Sequence, residues 1–447
     1  MTALAEVLLD LGWRITGSDT HGSAAIDHLR DRGVPIAIGH APSNVPAGTE
    51  LAVYSAAVDP SNVERQEAAR RGLPQWRYSE MLGRLMASRR GIGVAGTHGK
   101  STTTAMVAAV LEQAETDPLA VVGAELCQWN SSGRGGGGEW FVAECCEYQQ
   151  SFLDLCPTAV AILNIEPDHF DCYDGVDSLI EAFGRFAARV PPSGLVVARG
   201  DCQATRRAVL EASAELQTFS LTEGADWWAA DLRERRGCYG FRVFFRGRFV
   251  TEVRLQVPGR HNVANALAAT ALCYWAGVRP TEVREGLGEF QGIRRRMEVL
   301  GSWRGVTLVS DYAHHPTEVR ASLATARQMF GDRRIWCVFQ PHQVSRTKAL
   351  FDEFSESFSG ADRVVVAQVF CAREGAASQG LVTSALLGEA IRRRGAEVAD
   401  VYTVAEIVGL LESELCPGDV LIAMGAGDVD EVCDAFTRRL PRHRRAG

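Results

Sequence analysis

The chain has 447 residues and a formal net charge of −8, and 46% of its residues are hydrophobic. This length predicts two to four domains, and the acidic balance gives no electrostatic footprint for nucleic acid. The twelve cysteines form no C-x-x-C pair, and no apolar run reaches the roughly 18 residues of a membrane helix. We therefore expect a cytoplasmic protein with reduced thiols and no membrane contact, as a monomer or a weak homodimer.

The start of the chain alternates between short helical and extended patterns. Apolar spacing predicts helices over residues 2–11, 23–31 and 78–88, and strands over 13–16 and 51–56. We assign residues 1–88 to a Rossmann-like N-terminal domain that opens on its first helix, without its first strand. Asp19 follows a strand where an acidic residue often contacts a ribose. Equally, Ser18 and Asp19 are good residues to cap the next helix.

Residues 92–104 have the order of a phosphate-binding loop: a short strand ending at Ala95, a glycine turn, and a helix over 101–114. Gly96 and Gly99 leave the backbone N–H groups free to face phosphate oxygens. Lys100 can then reach the β- and γ-phosphates, and the Ser101 hydroxyl can bind Mg²⁺.

Lysine usage supports this prediction. Only two of the 47 basic residues are lysine, Lys100 and Lys348. A compact ammonium fits between phosphates where a planar guanidinium does not. The loop departs from the strict pattern at Val94, which stands where a glycine is usual, so the alternative is a tight strand-to-helix turn with a chance lysine.

The rest of the chain reads as two further α/β domains, at 89–297 and 298–447, with residues 89–91 as the first hinge. Central strands are predicted at 119–122, 140–143, 158–163 and 195–198, followed by an antiparallel meander over 227–257 and a helix over 261–275. The glycine-rich segment 131–138 reads as a flexible turn. C-terminal strands are predicted at 307–310, 335–339, 363–367 and 420–423, in a second doubly wound unit.

Polar residues follow several of these strands. Glu144 ends one central strand, with Glu147 three residues later, and residues 164–169 end another, at His169. Ligands bind at the carboxyl ends of parallel strands. We therefore expect Ser101 and Glu144 to hold Mg²⁺ and His169 to hold a second ion or the γ-phosphate, as phosphoryl transfer requires.

Two histidine-rich loops end C-terminal strands, at residues 311–316 and 340–346. Their coincidence indicates a second substrate site, although His314 and His315 could instead cap a helix.

Taken together, these motifs resemble the Mur ligase family, in its alanine-adding branch. The matching segments are 96–101, 142–144 with 151–153, 164–169, 259–266, 290–292 with 295–296, 311–318 and 339–342. They span all three predicted domains in the family's order, so the resemblance is specific.

The resemblance implies that ATP phosphorylates the carboxylate of UDP-N-acetylmuramate and that a small amino acid, L-alanine, attacks the acyl phosphate. The implied catalytic residues are Lys100, His169 and His314. The implied ATP contacts are Gly96, Thr97, His98, Gly99, Lys100, Ser101, Thr102, His261, Asn262, Asn265 and Arg296, with Asp311 at the ribose. The implied metal ligands are Ser101, Glu144 and His169, and the implied substrate contacts are Ser18, Asp19, Tyr312, His314 and Arg346.

The chain departs from the family pattern at three places. Gln343 stands where an arginine is expected, and Cys145 and Cys146 replace a polar stretch. Met1 coincides with the methionine of a Gly-x-Gly-Gly-x-Gly-Met turn, so we expect the natural polypeptide to begin roughly 15–20 residues earlier. A recycling ligase that attaches a peptide and a catalytically impaired pseudo-ligase are the alternative functions.

Overall fold

The computed structural model describes residues 1–371 and 382–439. The N-terminal elements are α1 (Thr2–Asp10), β1 (Gly17–Asp19), α2 (Ala24–Asp31), β2 (Ile36–Ile38), β3 (Ala52–Tyr54), α3 (Val63–Arg70), β4 (Gln75–Arg77) and α4 (Tyr78–Ala87). The strands form two separate parallel pairs, β1 with β2 and β3 with β4. The strand predicted over 13–16 therefore lies slightly later, at β1.

The central region is built on a ten-stranded sheet with the order β14-β13-β12-β11-β10-β9-β5-β8-β6-β7. Its strands are β5 (Arg90–Ala95), β6 (Leu119–Leu126), β7 (Ser131–Arg134), β8 (Trp140–Glu144), β9 (Ala159–Ile162), β10 (Leu195–Arg199), β11 (Glu215–Ser220), β12 (Trp227–Arg235), β13 (Cys238–Phe245) and β14 (Arg248–Pro258). Its helices are α5 (Lys100–Gln113), α6 (Gly175–Ala187), α7 (Gln203–Ala208), α8 (His261–Trp275) and α9 (Pro280–Glu289).

The middle strands β8, β5 and β9 are parallel and almost entirely buried, as expected for apolar runs covered on both faces. The predicted antiparallel meander is confirmed as β12, β13 and β14. Strand β5 takes in Arg90 and Gly91, so the predicted hinge at 89–91 is largely part of the sheet.

The C-terminal region has a six-stranded sheet with the order β15-β16-β20-β17-β18-β19. Its elements are β15 (Glu298–Trp303), β16 (Val306–Asp311), α10 (Pro316–Phe330), β17 (Ile335–Phe339), α11 (Val344–Ala349), α12 (Phe351–Ser355), β18 (Arg363–Val366), α13 (Ser384–Arg393), β19 (Glu397–Ala399), α14 (Val404–Glu414), β20 (Val420–Met424) and α15 (Asp430–Thr437). The three-part α/β architecture is thus confirmed, while the boundaries at 88 and 297 stay a prediction. Within the described ranges, no helix is long and apolar enough to cross a membrane.

Helix α1 packs against the central sheet. Its apolar residues join the hydrophobic cluster that covers one face of that sheet, together with residues of α4 and α6. Strand β7 fits closely beneath α1, because a Cβ on Gly133 would lie 2.2 Å from the carbonyl oxygen of Ala3. The buried Glu6 carboxylate accepts the Gly133 N–H at 3.1 Å.

The prediction that residues 131–138 form a flexible turn is therefore wrong. Part of the segment is the edge strand β7, and its glycines permit close approach rather than motion. A Cβ on Gly138 would lie 1.9 Å from the carbonyl oxygen of Thr116, and the Gly135 N–H donates to Asp10 Oδ2 at 2.9 Å. The N-terminal helix and the central sheet thus share one tightly fitted contact.

Candidate active site

The phosphate loop lies between β5 and α5, at the carboxyl edge of the central sheet. Gly96 and Gly99 have φ values of 142° and 81°, which L side chains rarely adopt. A Cβ on Gly99 would also lie 2.7 Å from Asn265 Oδ1. The predicted strand, glycine turn and helix are thus present, and the backbone conformation requires glycine at both positions.

The Lys100 ammonium is held inside this loop. Its Nζ donates to the carbonyl oxygens of Gly96 at 2.6 Å and Thr97 at 3.1 Å, and to Glu147 Oε1 at 2.9 Å. Burial alone would lower the pKa of Lys100, but the charge and hydrogen bond of Glu147, together with the other acidic groups nearby, outweigh it and raise that pKa above its ordinary value. Lys100 therefore stays cationic at neutral pH.

Glu147 is the carboxylate that connects Lys100 to His169. Its side chain is 1% exposed, and Oε1 also lies 3.4 Å from His169 Nε2. Burial opposes ionisation, yet Lys100 and His169 hold the pKa of Glu147 below its ordinary value. Glu147 Oε2 and His169 Nδ1 are buried without a hydrogen-bond partner. A carboxylate oxygen and an imidazole nitrogen that are buried without a hydrogen-bond partner are both groups that can bind a divalent cation.

Glu144, the predicted metal ligand, accepts a hydrogen bond from the backbone of β6. Its Oε2 accepts the Gly123 N–H at 2.8 Å, and a Cβ on Gly123 would meet that oxygen at 2.3 Å. The carboxylate that contacts Lys100 is Glu147, and metal binding by Glu144 stays a prediction. The half-buried Ser101 remains in the first turn of α5, as predicted.

His98 lies between two carboxylates from different regions of the chain. Its Nε2 is 3.5 Å from Glu166 Oε2, and its Nδ1 is 3.4 Å from Glu318 Oε1. Burial lowers the pKa of His98, but these two carboxylates outweigh it and raise the pKa to about 9. His98 is therefore an imidazolium that joins the phosphate loop to α10.

His315 completes this network. Its ring lies 4.5 Å from that of His98 between centroids, and His98, Glu166 and His315 place ligand atoms within 4.8 Å of one another. However, His315 Nδ1 accepts the Thr317 N–H at 3.3 Å and caps α10, while its Nε2 lies 3.3 Å from the Pro167 carbonyl oxygen. Both nitrogens are thus engaged, which confirms helix capping for His315.

His314 has a defined protonation state. Its Nδ1 lies 2.9 Å from the Tyr312 carbonyl oxygen and 3.3 Å from Glu318 Oε2. Burial lowers the pKa of His314 to about 3, against the nearby Glu318 charge. His314 is therefore a neutral imidazole. Because both neighbours of Nδ1 only accept hydrogen bonds, Nδ1 carries the proton and Nε2 keeps its lone pair.

A cavity of about 150 Å³ lies between the central and C-terminal regions. It brings together many of the predicted ATP contacts, namely His98, Gly99, Thr102, His261, Asn262, Asn265, Arg296 and Asp311. Burial lowers the pKa of His261 to about 4, so this ring is also neutral. The cavity is thus mixed in polarity and continuous with the phosphate loop.

The Asp311 carboxylate already has three donors within the fold. It accepts hydrogen bonds from the N–H groups of Met297 at 2.7 Å and Ala313 at 2.8 Å, and from the Ser322 hydroxyl at 3.1 Å. Asp311 therefore fixes the link between the central and C-terminal regions. Contact with a ribose remains a prediction.

Arg346 is buried and paired across the two regions. Its Nε donates to Asp168 Oδ1 at 2.7 Å, and the two side chains are only 3% and 7% exposed. Its Nη1 donates to the His342 carbonyl oxygen at 3.1 Å. Arg346 is thus already paired within the fold, and its contact with an amino acid stays a prediction. Neighbouring Gln343 is 5% exposed and has a φ of 70°.

Ser18 and Asp19 lie in β1, in the N-terminal region. The Ser18 hydroxyl donates to Glu64 Oε2 at 2.5 Å, and Asp19 is exposed. Helix α2 is capped by Ser23, so the capping alternative for Ser18 and Asp19 is wrong. Their contact with a nucleotide sugar stays a prediction.

The sequence motifs did not predict the contacts of three carboxylates in the site, Glu147, Glu166 and Glu318. Glu166 and Glu318 stood inside matching segments and Glu147 lay between two of them, but nothing in the sequence showed where their carboxylates point. A spacing of three residues from Glu144 to Glu147 is a weak signal on its own, because the segment after β8 has irregular backbone, with positive φ at Gln149 and Gln150.

Known proteins match the chain across all three regions. The family models described as Mur ligase family, catalytic domain; Mur ligase middle domain; and Mur ligase, glutamate ligase domain match residues 1–90, 94–273 and 295–427. The UDP-N-acetylmuramate–L-alanine ligase of Caldanaerobacter subterraneus is 39% identical over 98% of this chain and 94% of its own length. The enzyme of the same name from Clostridium acetobutylicum is 36% identical, with the same coverage.

Solved structures extend the comparison to the whole fold. The UDP-N-acetylmuramate-alanine ligase of Thermotoga maritima superposes with a TM-score of 0.83 at 26% identity, over 98% of this chain and 96% of that one. A murein peptide ligase from Psychrobacter arcticus shares the fold, with a TM-score of 0.74 at 23% identity over 99% and 97% of the two chains. With the phosphate loop, the carboxylates around it and these matches in agreement, the chain belongs to the Mur ligase family.

Proposed function

We propose that the chain is an ATP-dependent ligase that joins L-alanine to the carboxylate of UDP-N-acetylmuramate in peptidoglycan precursor synthesis. The observation that carries this proposal is the buried cluster of Lys100, Glu147 and His169 beside the nucleotide cavity. Relatives named for this reaction cover nearly the whole chain at 36–39% identity, which supports the choice of substrates.

The proposed reaction has two steps. The muramyl carboxylate attacks the γ-phosphorus of ATP, which gives an acyl phosphate and ADP. The alanine amine then attacks the acyl carbon, phosphate leaves, and an amide bond forms. Lys100 contributes to the first step, because its ammonium balances charge on the β- and γ-phosphates during transfer.

The residues around Lys100 also fit Mg²⁺. We propose that Ser101, Glu147 and His169 hold it, with Glu147 in place of Glu144. Bound Mg²⁺ would neutralise phosphate charge and orient the oxygens for in-line transfer. The unpartnered Glu147 Oε2 and His169 Nδ1 support this ligand set.

His314 is suited to the second step. An amino acid arrives largely as an ammonium and must lose a proton before it attacks. Nε2 of the neutral His314 faces the incoming group as an acceptor, since Nδ1 is held as a donor, and the Glu318 charge offsets part of the burial that makes this ring a weak base. Tyr312 lies beside it, with ring centroids 5.4 Å apart.

The test is amino-acid-dependent release of phosphate from ATP in the presence of UDP-N-acetylmuramate. L-alanine should stimulate release and give the amide product, whereas a free tripeptide that begins with L-alanine should not. Stimulation by the tripeptide alone would favour a recycling ligase, a function that the shared fold of the murein peptide ligase allows. Nucleotide binding without release under any condition would indicate a pseudo-ligase.

A further inference from the structure

Glu318 is placed between the two halves of the site. It lies in the first turn of α10, and its side chain is 10% exposed. Burial opposes its ionisation, but His314, Arg296 and His98 hold the pKa of Glu318 well below its ordinary value. A single buried carboxylate therefore carries a full charge beside the cations Arg296 and His98 and the neutral ring of His314.

The two oxygens of Glu318 face different functional groups. Oε1 lies 3.2 Å from Arg296 Nη1 and 3.4 Å from His98 Nδ1, which belong to the nucleotide cavity and the phosphate loop. Oε2 accepts the His314 backbone N–H at 3.1 Å and lies 3.3 Å from His314 Nδ1. One side chain thus contacts groups on the nucleotide side and the base on the amino-acid side.

We propose that Glu318 is a positioning residue that fixes the His314 base through Oε2 and the nucleotide-side cations His98 and Arg296 through Oε1. This inference rests on the proposed function. The Oε2 contact keeps the proton of His314 on Nδ1 and its lone pair on Nε2, as a carboxylate does for a catalytic imidazole. Through the contact between Oε1 and His98, the position of the Glu318 side chain also depends on the conformation of the phosphate loop.

Hydroxylamine, used as the nucleophile in place of L-alanine, distinguishes the effect of Glu318 on nucleotide binding from its effect on the His314 base. It is largely unprotonated at neutral pH and attacks an acyl phosphate without a protein base. In Glu318→Gln, the charged contacts with Arg296 and His98 are lost. We expect this loss to raise the Michaelis constant for ATP about tenfold and to slow hydroxamate formation to the same extent. The rate with L-alanine should fall further, by about 100-fold in total, because the base is also misplaced.

Glu166→Gln is the matched control. Glu166 also contacts His98, at 3.5 Å, and donors on α10 such as the Thr317 hydroxyl at 2.6 Å, but its described contacts do not include His314. This variant should slow the alanine and hydroxylamine reactions by the same factor. Glu318→Asp, which keeps the charge on a shorter stem, should recover part of the alanine rate. Urea denaturation of each variant shows whether it remains folded.

Equal loss with alanine and hydroxylamine in folded Glu318→Gln would overturn the proposal, as would an unchanged alanine rate. If Glu318→Gln fails to fold, Glu318→Asp decides alone: a larger loss with alanine than with hydroxylamine supports the proposal, and equal losses reject it. Failure of the proposed function is distinct, because the unaltered chain would then form no amide product from UDP-N-acetylmuramate and L-alanine.

Discussion

Replacement of Glu147 by glutamine is the sharpest test of the active-site assignment. Lys100 Nζ and Glu147 Oε1 are 2.9 Å apart, and the two side chains are 12% and 1% exposed. At an effective dielectric constant of about 20, their attraction is about 6 kcal/mol. A glutamine oxygen can still accept the Lys100 hydrogen bond, so we expect Glu147→Gln to lower the free energy of unfolding by about 3 kcal/mol.

Glu144→Gln is the control with the same chemical change. Glu144 accepts one backbone N–H, from Gly123, and a glutamine oxygen can replace that acceptor. We expect a loss below about 1 kcal/mol in urea denaturation followed by fluorescence.

Magnesium dependence supplies the second measurement. Glu147→Gln should raise the Mg²⁺ concentration for half-maximal phosphate release at least about tenfold, because a neutral amide is a weaker ligand for a hard cation. Glu144→Gln should change it less than about twofold. Identical magnesium titrations for the two variants, or a larger effect at Glu144, would refute the assignment of Glu147.

Four further changes test other parts of the structure. Lys100→Arg should lower turnover at least about 100-fold, since a guanidinium does not fit the loop; normal turnover would reject the phosphate-loop assignment. Gln343→Arg should lower the Michaelis constant for L-alanine by supplying a charged, bidentate donor, and an unchanged constant in initial-rate assays would count against this. The pKa of His98 is raised to about 9 from 6.5, so its contribution to stability is complete below pH 6.5 and disappears as the pH rises through 9. That contribution is at most about 3 kcal/mol, and His98→Gln should flatten the alkaline limb in urea denaturations at several pH values. Gly133→Ala should destabilise the α1 contact by about 1–3 kcal/mol, because the new Cβ collides with the Ala3 carbonyl; unaltered stability would show that α1 can shift.

The phosphate loop was predictable because its chemistry is local. Glycines at fixed offsets, a lysine and an apolar strand before them are sufficient to place Lys100 and Ser101 at the start of α5. The buried strands were predictable for a similar reason, since apolar runs of β-branched residues identify β5 and β9 without knowledge of their partners.

The contact between Glu147 and Lys100 was not predictable in this way. Glu144 ends β8, and the direction of its side chain depends on the neighbouring Gly123 backbone. Glu147 lies beyond the end of β8, and its contact with Lys100 depends on a backbone path that the residue spacing does not predict. The neutral state of His314 likewise follows from burial between two regions, which the sequence does not encode locally.

The glycines of residues 131–138 show a related limit. Sequence alone treats glycine as a source of flexibility, whereas here several glycines are required by backbone atoms of other segments. Gly133 is fixed by Ala3, more than a hundred positions earlier in the chain. Such contacts become visible only when the fold is known.

The loop after β9 connects the proposed metal site to the C-terminal region. Asp168 is paired with Arg346, the Pro167 carbonyl faces His315, and the adjacent His169 contacts Glu147. Moving the C-terminal region away would separate the Asp168–Arg346 pair and pull on the segment that carries His169. We therefore expect domain opening and release of the metal-bound nucleotide to occur as one kinetic step, so that turnover and the rate of nucleotide exchange share a common limit.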